Sequence, residues 1–248
     1  MGFLDIFKGG NKGDKGDKKS SPAAKWAEPA GNRRALNYDR QEAIQALAEM
    51  GTPEAVAALL KRFTFQIDPS ITDQEEKEAA FRGILRAERD AIEPVRTFAA
   101  RAESLAWPMR ILKEILPEED YVAELVLWLE RWDTEYSKFI DPKIQLLIAL
   151  EERKSDIIRG AAERFLDDVN ETARFHAVAT LLAQDDEGAL TPLFKLLAEE
   201  ESVRVKNKVA DGIANRSWIV PEDVRDAVRK TLPPSFSIDA SGRLRKRS

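Results

Sequence analysis

YDRQEAIQAL, residues 38–47, sets Arg40, Ala43 and Leu47 three and four positions apart. That spacing puts one basic and two apolar side chains on a single helix face. The phrase returns as Lys77, Ala80 and Ile84 in EKEAAFRGIL, and again as Met109, Leu112 and Leu116. It continues as Lys143, Leu146 and Leu150, as Arg174, Ala177 and Leu181, and as Lys206, Val209 and Ile213. Only Met109 breaks the basic position. A recurrence every 31 to 37 residues is the signature of stacked helical repeats. Each phrase turns its two apolar residues toward a neighbour, and the stem of the basic residue is expected at the edge.

Between the phrases lies a second set of amphipathic runs: TPEAVAALLKRF, DAIEPVRTFAARA, EEDYVAELVLWLERW, SDIIRGAAERFLDD, EGALTPLFKLLAEE and PEDVRDAVRKTL. Several open on helix-start residues: Thr52 before Pro53, Asp90, Ser155 before Asp156, and Pro221 before Glu222 and Asp223. The unit is therefore two antiparallel helices. So short a pair cannot bury its apolar side alone, and successive pairs must stack to close a core. FTFQIDPSITD, from Phe63 to Asp73, lengthens the first repeat; its alternating Phe63, Phe65 and Ile67, and Pro69 beyond them, predict an ordered loop.

These phrases, with RFHAVATLL at 174–182 and ALTPLFKLL at 189–197, resemble HEAT repeats, in particular the bacterial, PBS-lyase-type HEAT-like repeats. The resemblance spans roughly residues 32–232. It implies an all-α fold, a right-handed α-solenoid of about six antiparallel helix pairs. It also implies that second helices line a concave face, where Trp128, Arg131, Lys195, Arg225 and Arg229 would border a protein-binding groove. The superfamily holds scaffolds, adaptors, lyase subunits and, in one branch, DNA glycosylases, so the architecture does not choose among functions.

At 248 residues and 43% hydrophobic content the chain can bury a substantial core, and its 33% charged fraction suits a solenoid with much exposed surface. Cysteine is absent, which excludes disulfides, thiolate catalysis and a thiolate zinc site. No apolar run approaches the roughly 20 residues that span a bilayer, and residues 1–20 lack the order of a secretory signal. A cytoplasmic protein is expected. The net charge of −5 hides a polarity: residues 1–25 carry +3 and the last eight +4, which leaves −12 on the body. An acidic body argues against tracking a nucleic-acid backbone.

Three segments follow: an apolar anchor with a basic linker over 1–31, the solenoid over 32–232, and a cap or basic tail over 233–248. MGFLDIFK gathers Phe3, Leu4, Ile6 and Phe7 ahead of a glycine- and lysine-rich stretch. Such a short amphipathic turn suits a partner's groove, a membrane surface contacted through residues 1–8, or the chain's own solenoid. SFSIDASGRLRKR reads as a small hairpin, either a basic patch or a cover for the last repeat.

No catalytic constellation emerges. His176, the only histidine, sits between Phe175 and Ala177 and reads as a buried or partly buried residue satisfied by a local hydrogen bond. The acidic pairs Asp167-Asp168, Asp185-Asp186 and Glu199-Glu200-Glu201 fall at helix ends and read as solvated caps. Trp128, on a broad apolar stripe with Tyr121, Leu125 and Trp132, is either core or an exposed anchor. The leading expectation is a noncatalytic scaffold or adaptor that binds a protein segment on its concave face, with no cofactor or metal, localised by its N-terminal anchor. The alternatives are a HEAT-like DNA-binding or alkylpurine DNA glycosylase enzyme and a lyase or chaperone subunit.

Overall fold

A computed structural model describes residues 21–247, and among them thirteen α-helices. The first, α1 (Ala24–Ala30), precedes six helix pairs: α2 (Asn37–Met50) with α3 (Pro53–Leu60), α4 (Ser70–Leu85) with α5 (Ile92–Ala99), and α6 (Ala106–Ile115) with α7 (Glu118–Leu129). Then come α8 (Asp141–Glu151) with α9 (Asp156–Glu163), α10 (Glu171–Gln184) with α11 (Leu190–Glu199), and α12 (Val203–Arg216) with α13 (Arg225–Thr231). The result is an all-α HEAT-like solenoid. First helices stack α2 on α4 on α6, and α8 on α10 on α12; α7 packs on α8 and α9 and joins the two stacks.

The phrase residues account for the stacking. Ala43, Leu47, Ala80, Ile84, Leu112, Leu146, Leu150, Ala177, Leu181, Val209 and Ile213 are all buried. Local chemistry sets the breaks. Gly51 ends α2 in the left-handed region at φ 60°, and the Thr52 hydroxyl then accepts from the amide of Ala55 to start α3 beside Pro53. Asn170 and Ser202 cap α10 and α12 in the same manner. Asp90 instead lies inside a 3-10 turn, Glu88–Ala91, and α5 starts after it. At Gly83 the α2 and α4 backbones meet so closely that a Cβ would stand 2.5 Å from that of Ala48.

Three expectations change. Residues 24–30 are not linker: α1 packs on α2 and α3, with Ala23 and Ala30 buried and Trp26 against the core, and so covers the open side of the first repeat. The insertion is shorter than the sequence suggests, because a 3-10 turn, Lys61–Thr64, leads into extended backbone and α4 already begins at Ser70, directly after Pro69. Three basic residues of the phrase are not at the edge: Arg40, Lys77 and Lys143 are buried, whereas Arg174 and Lys206 are half-buried.

At the C-terminal end β1 (Phe236–Ile238) pairs antiparallel with β2 (Leu244–Lys246). Phe236 and Leu244 are buried where β1 meets α13 and β2 meets α12. Asp239 fastens the turn by accepting from the amides of Ser241 and Arg243, the Ser241 hydroxyl and the Arg245 guanidinium. Those hydrogen bonds hold its carboxyl well below the usual carboxylate range. Arg245 and Lys246 spend their charge on Asp239 and Asp211.

Candidate interaction groove

Three of the phrase cations find their anions at the junction with the next repeat. Arg40 Nε donates to Glu76 Oε2 at 2.7 Å, Lys143 Nζ to Asp168 Oδ2 at 2.6 Å, and Arg174 Nε to Glu200 Oε2 at 2.7 Å. Asp168 and Glu200 are therefore buried ion-pair partners and not solvated caps. Burial pushes the Glu200 carboxyl up, but the hydrogen bonds from Arg174 and from the Ser202 amide outweigh it, and the group stays below its ordinary value.

At the first of these junctions the pair grows into a network that shapes a surface. Arg62, fully buried in the turn after α3, donates through Nε to the same Glu76 oxygen at 2.7 Å and through Nη2 to Asp73 Oδ1 at 2.7 Å. Lys77 Nζ meets Asp73 Oδ2 at 2.6 Å. The network also grips the insertion: Arg62 Nη1 donates to the carbonyl of Phe65, and the Ile67 amide donates to Asp73 Oδ1. Burial again acts to raise the Asp73 carboxyl, and Lys77 and Arg62 overcome it. Phe63 and Phe65 are thus presented from a loop fastened by charge.

Those two rings form one wall of a groove of about 1260 Å³. It is also lined by the C-terminal half of α5, with Thr97 and Phe98, and by the connection that follows, with Arg101 and Glu103. Trp107, in the first turn of α6, stacks on Phe63 at 4.6 Å between centroids and 14° between planes. Phe139, 43% exposed, and Asp141 complete the lining. A second hollow of about 380 Å³ shares Arg101, Ala102, Glu103 and Phe139, so the trough continues to Trp128, Arg131 and Trp132. Its charges are mixed: Lys61 and Arg101 alternate with Glu93, Glu103 and Asp141.

Phe3, Leu4, Ile6 and Phe7 lie outside the described residues. Trp128 is 3% exposed and is no exposed anchor; it floors the second hollow, its Nε1–H buried without a partner, while Arg131 stands on the rim. Lys195 faces Asp167 at 3.7 Å and Arg229 faces Asp226 at 2.7 Å. Arg225 turns back to donate to the Val220 carbonyl at 2.9 Å. These three, on α11 and α13, are not brought to the groove. Sequence reasoning missed Phe98, Trp107 and Phe139 as lining; the one available signal was FTFQI, whose aromatic alternation marks the insertion.

His176 departs from expectation. Its Nδ1 is buried with no hydrogen-bond partner, and the Glu151 carboxylate is 3.7 Å away. Burial lowers its pKa against the opposing pull of Glu151. Among the described residues no group of His, Asp and Glu has the geometry to hold a metal, and no helix is long and apolar enough to cross a membrane.

Residues 39–64, which cover α2, α3 and the turn bearing Arg62 and Phe63, match the family described as PBS lyase HEAT-like repeat. No curated protein and no solved structure matches the chain. HEAT-like repeats commonly serve as protein-interaction scaffolds and are generally non-catalytic.

Proposed function

With a HEAT-repeat architecture as the premise, supported by the match and by the six stacked pairs, we propose that this chain is a noncatalytic cytoplasmic scaffold. It takes an extended or singly turned protein segment in the groove between the Phe63–Phe65 wall and α5. The observation that carries the reading is the groove itself. At about 1260 Å³ it exceeds the roughly 300–1,000 Å³ typical of small-molecule sites, and its partly buried aromatic rings suit side chains of a peptide. Its mixed charge gives no continuous basic track for counterion release, which sets the nucleic-acid reading behind. Lys61, Glu93, Arg101 and Glu103 supply a polar rim that fixes register.

The test compares two full-length variants. Ala57→Arg with Thr97→Arg places two long cations on exposed groove positions of α3 and α5, both compatible with a helix. Gln45→Arg places one on the exposed side of α2. Partners crosslinked to the unmodified chain are expected to persist with Gln45→Arg and to vanish with the groove variant. An unchanged partner set in the groove variant refutes the assignment.

A further inference from the structure

Resting on that reading of the groove, we infer that its resident occupant is residues 1–7 of the same chain, which a partner must displace. Three observations converge on this. The first is position. The helix nearest the N-terminus, α1, packs on α3, and its C-terminal Gly31 sits so close to Lys61 of the groove rim that a Cβ there would be 3.1 Å from the lysine Cβ. The seven residues of α1 span only about 10 Å, so the chain preceding Ser21 starts near one end of the groove.

The second is length. Thirteen residues, 8–20, separate Phe7 from Ser21. Stretched, they reach about 45 Å; as a glycine-rich coil they span about 20 Å on average. Either distance exceeds the helix length that separates Ser21 from Lys61. The composition GGNKGDKGDKKSS supplies a tether and no competing apolar group.

The third is chemistry. Phe3, Ile6 and Phe7 stand three and four apart and share a face when the segment makes a helical turn, with Asp5 and Lys8 beside them. The groove offers partly buried aromatic rings at Phe63, Phe65 and Phe98, with Lys61 and Arg101 available to Asp5 and with Glu103 available to Lys8. Tethering makes even a weak contact count. A linker of this kind gives an effective concentration on the order of 1 mM, so a segment that binds in trans at about 0.1 mM occupies the groove about ten to one and weakens a competitor about tenfold.

A dye-labelled peptide of residues 1–10 reads this directly by fluorescence anisotropy. It is expected to bind the full-length Phe3→Ser, Phe7→Ser variant about tenfold more tightly than the unmodified chain, whose groove is occupied in cis. Adding Ala57→Arg and Thr97→Arg to that variant is expected to abolish binding. The chain has no cysteine, so Asp5→Cys provides a single site for a nitroxide label, expected to broaden the amide signals of Thr97 and Phe98 equally on dilution. Equal peptide affinity for both chains, or none for either, overturns the inference. Broadening that fades on dilution assigns the segment to a second copy and overturns it as well. So does sedimentation with phosphatidylserine vesicles that depends on Phe3 and Phe7 while the peptide ignores the groove. If the peptide fails to bind but the groove variant still loses its crosslinked partners, only the occupant is wrong; if those partners also persist, the groove itself is.

Discussion

Replacing Glu76 by Gln puts the first-junction network under the most direct strain. The Glu76 side chain is 1% exposed, and the Nε atoms of Arg40 and Arg62 both donate to its Oε2. Its Oε1 has no partner, so an amide nitrogen placed there displaces no hydrogen bond. The substitution therefore removes charge with little change of shape. Arg62 keeps Asp73, but Arg40 keeps only neutral acceptors, the Ala35 carbonyl and the Asn37 side chain, at a site where it is 1% exposed. Stranding a buried charge costs about 3–5 kcal/mol, and the retained amide oxygen places this case near 3. With a urea slope of about 2–3 kcal/mol/M, the midpoint followed by circular dichroism should fall by about 1–1.5 M. Adding Arg40→Met removes the stranded cation and should restore most of the loss, a coupling that a double-mutant cycle measures. Exchange of the Ile67 amide, which donates to Asp73, should quicken in the single variant. A midpoint within about 0.3 M of the parent, or a double variant worse than the sum of its parts, would refute the reasoning.

Trp128→Phe should cost less than about 1 kcal/mol in the same urea assay, because the indole N–H it deletes has no partner, whereas Trp128→Ala should cost about 3–5. Gly83→Ala should destabilise by about 1–3 kcal/mol, since the new methyl meets the Ala48 Cβ at 2.5 Å and its Cα at 3.0 Å. Gly160→Ala, on α9 with open space around it, should stabilise by about 0.5–1 kcal/mol, and opposite signs in thermal melts check the pair. Acid should weaken the protein through Asp73 and Glu200. Both carboxyls sit below their ordinary values when folded, so their stabilisation is full above about pH 5 and is lost as pH falls through the folded values. Urea midpoints at decreasing pH should show a slope that Asp73→Asn and Glu200→Gln each reduce.

The helix pairs were legible because burial repeats: the same two apolar positions in each phrase must meet a neighbour. Helix α1 was not, because AKWAEPA carries a proline and no phrase; it is helical through Ala23, Ala30 and Trp26 packing on α2 and α3. The ionic pairs escaped notice for a different reason. A lysine or arginine at a helix edge ordinarily reaches water, and the anions that hold Arg40, Lys143 and Arg174 lie 36, 25 and 26 residues away, with no local signal to link them. The groove shared that fate. Phe98, Trp107 and Phe139 come from three separate segments, and only stacking sets them against Phe63.

Met109, the phrase residue without a charge, interrupts the series of ionic ties. Ionic ties lie on both sides of it, at Arg40, Arg62 and Glu76 before, and at Lys143 and Asp168, then Arg174 and Glu200, after. Across the gap between α6 and α8 the tie is neutral and partly exposed: the Gln145 side chain accepts from the Leu105 amide at 2.6 Å. On the other layer Arg96 of α5 holds Glu124 of α7. The two stacks of first helices thus meet at the third repeat through α7, which packs on α8 and α9 and whose Glu118 lies 3.0 Å from Arg153 Nε. The groove reaches from the first stack, at Phe63, to the start of the second, at Phe139 and Asp141. Whatever fills it therefore touches both stacks at once.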